Sequence, residues 1–293
     1  MKIVKNIAFV FTLFLLFSCK KHVVEYMTTP IGDVAEFQLH YFVPVTAVDA
    51  NNIYKIKVNE KEYVNGTTNA QGVFTPSILL STYNAVPSGS VARFYTTEIG
   101  QNNIKLFASN SLTQVYDQNV TLSKGKQNVF VYDFTKPPIV FDNGYPYPKN
   151  TTEYTDSSAQ VKFYNFLYED ATTPTTLKLQ YQYQYVKNQT TKEKSDWLNV
   201  GKPVGFGETT GWQQVSVIKE VFLSAGSARL DYRIRIIAPD GSDQGSLRII
   251  NASNAFVDYS DFWTASIGRA YHHILSGIRT TAPRTAVRQF TAL

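Results

Sequence analysis

Residues whose types could do chemistry are few and lie apart. His272-His273 comes nearest to a metal-ligating pair. Neighbours on a β-strand point to opposite faces, so the two imidazoles cannot share one ion, and neither an HExxH spacing nor a carboxylate run accompanies them. The pattern predicts one imidazole under a sheet and the other at the surface. The remaining histidines, His22 and His40, sit far upstream. Glu169-Asp170, Asp240 with Asp243, and Asp258 with Asp261 are acidic pairs of the kind that bind calcium or act as acid and base in glycoside hydrolysis. They fall in loop-like stretches, where carboxylates are ordinarily solvated, and none has EF-hand spacing. Gly205-Phe206-Gly207-Glu208-Thr209-Thr210-Gly211 approaches the dinucleotide fingerprint, but its last glycine is one place late and no helix pattern follows. Gly241-Ser242-Asp243-Gln244-Gly245 puts serine second where a nucleophile elbow needs it third. The chain therefore reads as non-enzymatic, with no catalytic residues, no metal site and no cofactor expected.

Aromatic side chains offer a different chemistry, since sugar rings stack on exposed Tyr and Trp through their apolar C–H faces. Tyr145, Tyr147, Trp197, Trp212 and Trp263 are the candidates for such a glycan-stacking role, being placed in a proline-rich connector, in loops or at strand ends. The regular stripe Tyr181, Tyr183, Tyr185 reads instead as sheet core.

The elements that would position these groups are strands. Ala35-Glu36-Phe37-Gln38-Leu39-His40-Tyr41-Phe42-Val43 alternates for most of its length, as a strand with one buried face does. Tyr54 to Val58, Leu177 to Tyr185 and Leu230 to Ile236 repeat that period. Ala238-Pro239-Asp240-Gly241-Ser242 then makes a turn. Strand-sized runs with turns between them, and no long helical pattern, predict an all-β chain of two tandem β-sandwich domains. The expected divisions are a signal peptide at 1–18, a tether at 19–33, a first sandwich at 34–136, a Pro/Tyr-rich connector at 137–155 and a second sandwich at 156–293.

Lys2 and Lys5 precede an apolar run from Ile7 to Phe17, too short to span a bilayer comfortably, which reads as a secretory leader. Leu16-Phe17-Ser18-Cys19 closes it and resembles a bacterial lipobox, with the only cysteine of the chain in last place. That resemblance implies a lipid thioether on Cys19, and hence a membrane partner reached through acyl chains, not through a spanning helix. The 28 basic and 23 acidic residues give a net charge of +5, and loss of Lys2 and Lys5 with the leader leaves +3. So small and scattered an excess provides no phosphate-tracking surface, and nucleic acid is not an expected partner.

An internal repeat supports the two-domain division. Ala35 to Phe42 aligns with Ala159 to Phe166, Tyr54 to Val58 with Leu177 to Tyr181, and Val129-Phe130-Val131 with His273-Ile274-Leu275. The strand Val161-Lys162-Phe163-Tyr164-Asn165-Phe166 and the tail from Gly268-Arg269-Ala270-Tyr271-His272-His273 to Arg288-Gln289-Phe290-Thr291-Ala292-Leu293 resemble Bacteroidota lipoproteins with tandem copies of the domain of unknown function 4397. The resemblance implies an immunoglobulin-like sandwich in each copy and an extracytoplasmic place, and it brings no catalytic residues. The expected function is a membrane-anchored spacer, adhesion or scaffold module of the envelope, on the outer membrane, facing the periplasm or the cell surface. The alternative is a glycan-binding accessory lipoprotein of a polysaccharide-uptake system. Lys20-Lys21-His22 stands where surface-displayed lipoproteins often carry acidic residues, which leaves the face open.

Overall fold

Alternating β-branched and aromatic residues separated by turn chemistry produce a chain whose regular structure is strand. The computed structural model of the protein describes residues 32–63, 66–68, 74–76, 80–87, 94–109, 111–144, 157–222 and 226–292. The first lobe contains β1 (Ala35–Tyr41), β2 (Ile53–Val58), β3 (Lys61–Tyr63), β4 (Gly66–Thr68), β5 (Phe74–Pro76), β6 (Asn84–Val86), β7 (Tyr95–Thr97), β8 (Gly100–Ala108), β9 (Thr113–Leu122), β10 (Gly125–Val131) and β11 (Ile139–Asp142). The second contains β12 (Ser158–Tyr168), β13 (Lys178–Tyr185), β14 (Leu198–Asn199), β15 (Thr209–Ser216), β16 (Ala228–Ile237), β17 (Asp243–Ser246), β18 (Arg248–Ile250), β19 (Phe256–Asp258), β20 (Ser260–Ala265), β21 (Ala270–Ile278) and β22 (Ala286–Thr291).

Each lobe is a two-sheet sandwich. In the first, an inner sheet of order β11-β10-β1-β6, with β7 also on β1, faces an outer sheet of order β3-β2-β8-β9. Phe37, Leu39, Val129 and Val131 from the inner sheet meet Ile56, Val58, Ile104 and Leu106 from the outer one in a single core. The second lobe pairs an inner sheet, β15-β12-β21-β22, with an outer sheet, β14-β13-β16-β17, to which β20 adds on β16. Its core holds Val161, Phe163 and Leu275 against Leu179, Tyr181 and Ile234.

The repeat has a topological meaning. β1 runs parallel to β10 with Leu39 opposite Val129, and β12 runs parallel to β21 with Phe163 opposite His273. The aligned residues of the two repeats thus occupy matching places in the two ladders. The second aligned pair also corresponds: β2 lies antiparallel to β8, as β13 does to β16.

Parallel ladders are seldom wet on either face. Here the inner sheets obey that rule by packing on each other, so that four layers stack and every residue of β21 is buried. Phe42, Tyr83 and Phe130 of the first lobe form one apolar cluster with Tyr164, Phe166 and Ile274 of the second. This corrects two expectations. The polar side of β1 is not wet, since His40 is fully buried and Gln38 nearly so, and the second imidazole of His272-His273 does not reach the surface. One face of β21 looks into the second core and the other into the seam between the lobes. Residues Asp33–Leu293 accordingly make one compact unit.

The connector also departs from expectation. Ile139-Val140-Phe141 is apolar enough to pair, and as β11 it forms the edge of the inner sheet beside β10, where Phe141 meets Tyr164 at 5.1 Å. Its remainder from 145 to 155 lies outside the described residues, as does all of the expected leader and most of the tether.

Candidate functional site

The seam between the lobes holds a buried polar chain. His40 Nε2 donates to Asn128 Oδ1 at 3.0 Å, and Asn128 Nδ2 donates to Asn143 Oδ1 at 2.9 Å. Asn143 Oδ1 also accepts from His272 Nε2 at 3.2 Å, while the Tyr164 hydroxyl donates to His272 Nδ1 at 2.9 Å. The Asn143 carbonyl accepts from Trp212 Nε1 at 2.8 Å. Asn143, whose neighbours Asp142 and Gly144 mark it as a turn residue, is therefore the junction of the two lobes. Only tertiary contact reveals that role. With one ring nitrogen donating and the other accepting, His272 is a neutral imidazole, and burial favours the neutral form of the other two as well: His40 is lowered to about 4 and His273 to about 3. His272 is also held well below its ordinary value, by burial first and then by repulsion from His40, Lys162 and His273.

Lys162 enters the same seam. It is nearly buried, donates to the Asp142 carbonyl at 2.7 Å and lies over the Trp212 ring. Among the described residues no carboxylate pairs with it, and burial lowers it to about 8, partly offset by Asp142. The Gly205–Gly211 loop, read as a failed nucleotide fingerprint, inserts Phe206 against Tyr132, Phe166 and Tyr168. Gly207 has φ +70°, and a Cβ there would stand 2.7 Å from Ile139 Cδ1, so the loop needs glycine where it passes β11.

The acidic pairs are engaged in structure. Glu169 pairs with Arg279 and accepts from Thr175, and Asp170 accepts the backbone N–H groups of Thr172 and Thr173. Asp240 caps the turn at Ser242, Asp243 pairs with Arg235, and Asp258 faces Arg248 at 3.7 Å. Among the described residues no group of three His, Cys, Asp or Glu side chains is arranged to hold a metal ion.

The five proposed stacking aromatics do not form one site. Trp263 is buried in the second core, its ring 4.3 Å from His273, and presents no face to solvent. Trp212 is committed to the seam, 5.0 Å from His272. Tyr145 and Tyr147 lie outside the described residues, as does Cys19. Trp197 and Trp212 are both half-buried, and of the two it is Trp197, just before β14, that lines a surface cleft.

Around Trp197 the outer sheet of the second lobe forms a cleft of about 380 Å³, lined by Gln184, Lys194, Asp231 and Phe262 among others. Its floor is Asp231 of β16, which accepts from Lys194 at 2.6 Å and Arg229 at 2.8 Å; these bonds hold it below the usual aspartate value despite partial burial. Arg229 lies 3.9 Å above the Phe262 ring and Arg233 4.4 Å above Trp197. Phe262 is 49% exposed. The alternation of β20 explains why the sequence singled out the wrong neighbour: Phe262 and Trp263 are adjacent and point to opposite faces.

No protein-family profile matches the chain, and no curated protein matches it. Among solved structures, the Bacillus anthracis TIE protein is similar at 8% identity and a TM-score of 0.21, covering 83% of this chain and 34% of that one. The chain spans about a third of that protein's length, and a likeness at this level carries no argument.

Proposed function

We propose that the protein is a non-enzymatic extracytoplasmic lipoprotein, tethered to a bacterial membrane through Cys19, whose two sandwich lobes serve as a rigid spacer or scaffold module of the envelope. The observation behind this reading is the aromatic seam, in which Phe130 meets Phe166 and Phe141 meets Tyr164 across the lobes. Domains joined by a polar interface or a bare linker move relative to one another. An apolar seam threaded by a hydrogen-bond chain makes them move as one piece, as a strut must. In this reading the acyl chains on Cys19 supply attachment, at ~0.8 kcal/mol per buried CH₂. The outer membrane is the proposed location, in keeping with the place that the family resemblance implies.

The test is fractionation and radiolabelled palmitate incorporation for the wild type and Cys19→Ala expressed in a bacterial host. Label and membrane association are expected for the wild type and loss of both for the variant. Membrane association that persists in Cys19→Ala, or a wild type that takes up no label, overturns the anchor.

A further inference from the structure

We infer that the cleft on the outer sheet of the second lobe binds a neutral oligosaccharide. Its lining contains two aromatic rings, each held in place by a guanidinium: Trp197 on Arg233 and Phe262 on Arg229. The register places Trp197, Gln184, Asp231 and Phe262 in one row across β14, β13, β16 and β20, so the two rings stand three strand spacings, about 14 Å, apart across the sheet. Asp231 sits between them. Phe262, 49% exposed, and the half-buried Trp197 offer apolar ring surface that suits the C–H face of a pyranose, and the spacing accommodates more than one sugar unit.

The polar groups between the rings select the ligand class. The lining carries Lys194 and Arg229 as positive charges against Asp231 and Asp261 as negative ones, with the Arg233 guanidinium on the Trp197 ring beside it. A polyanion meets two carboxylates there and a polycation meets two bases, so neither is favoured. Among the described residues, Gln184 Oε1 and Ser260 Oγ take part in no hydrogen bond, whereas Gln184 Nε2 is anchored to the Ser195 carbonyl at 2.6 Å. Donors and acceptors thus both line the cleft, as suits hydroxyl groups, each able to give and take a hydrogen bond. Gln182 keeps Arg233 in position against the Trp197 ring by accepting from its Nε at 2.8 Å. The site needs no anchor, and its failure leaves the Cys19 reading untouched.

Affinity electrophoresis of the full chain carrying Cys19→Ala, in gels containing dextran, mannan or xyloglucan, with polygalacturonate as the anionic comparison, tests the site. Retardation by at least one neutral polymer is expected, insensitive to salt and weakened tenfold or more by Trp197→Ala and by Phe262→Ala. Phe262 is exposed, so its replacement leaves folding intact, and circular dichroism checks this for both variants. No retardation by any neutral polymer, retardation that survives both substitutions, or salt-sensitive retardation by polygalacturonate alone each overturns the inference.

Discussion

Phe130 of the first lobe and Phe166 of the second stack across the seam with ring centroids 4.7 Å apart and planes 17° from parallel. Replacing Phe130 with Ala removes this stack together with the contact to the His40 ring at 4.3 Å. A loss of about 3–5 kcal/mol is expected for a buried Phe. All three tryptophans, Trp197, Trp212 and Trp263, belong to the second lobe, so fluorescence reports that lobe while circular dichroism reports both. In urea the two signals coincide for the wild type and separate for Phe130→Ala. Coincident signals in the variant would show that the stack does not couple the lobes.

The buried histidines make stability depend on pH. The folded values of about 4 for His40 and about 3 for His273 lie below the ordinary 6.5, so the unfolded chain takes up protons first. Stability is complete above pH 6.5 and falls as the pH drops towards those values, by ~2 kcal/mol per histidine at pH 5. The urea midpoint is therefore lower at pH 5 than at pH 8, and His40→Gln reduces the difference. A midpoint unchanged between these pH values contradicts the assignment.

Lys162 gives the opposite kind of prediction. Its folded value of about 8 lies below the ordinary 10.5, so its charge opposes folding at neutral pH, and the stability lost through it returns as pH rises between those values. Lys162→Met keeps the volume and removes the charge. With the bond to the Asp142 carbonyl and the ring contacts forfeited in part, a net gain of about 1–2 kcal/mol is expected at pH 7, read from urea unfolding. Destabilisation would show that the ring contacts outweigh desolvation.

Gly277 lets two backbones touch. At φ +112° within β21, a Cβ would lie 2.5 Å from the Arg284 carbonyl oxygen and 2.8 Å from Thr285 Cα. Neither neighbour is a flexible side-chain tip, so Gly277→Ala must move main chain. A cost of about 2–4 kcal/mol follows from overpacking and the strained φ together. Scanning calorimetry then reads a Tm lower by roughly 5–15 °C, and a change under 2 °C would refute the close approach.

Much of the fold is legible along the chain because it rests on local period and turn chemistry. The strands around Ala35, Leu177 and Leu230, the turn at Ala238–Ser242 and the repeat all follow from residues within a few places of one another. The cleft is half legible. Trp197 stands out as a tryptophan at a loop or strand end, whereas nothing in the local sequence marks Phe262, and only its place in β20 decides which way it points.

What local sequence could not state is what covers the second face of a sheet. The alternation in β1 separates Phe37, Leu39 and Tyr41 from Gln38 and His40, and on an isolated sandwich the second set would be wet. The packing of one inner sheet on the other reverses that outcome: His40 and His272 become buried neutral groups, Asn143 becomes a junction, and Phe206 becomes a wedge. Burial is a property of surfaces brought together over more than a hundred residues, as Tyr164 and His272 are at 108 places apart. Side-chain period determines which residues share a face; the docking of the lobes determines whether that face meets water.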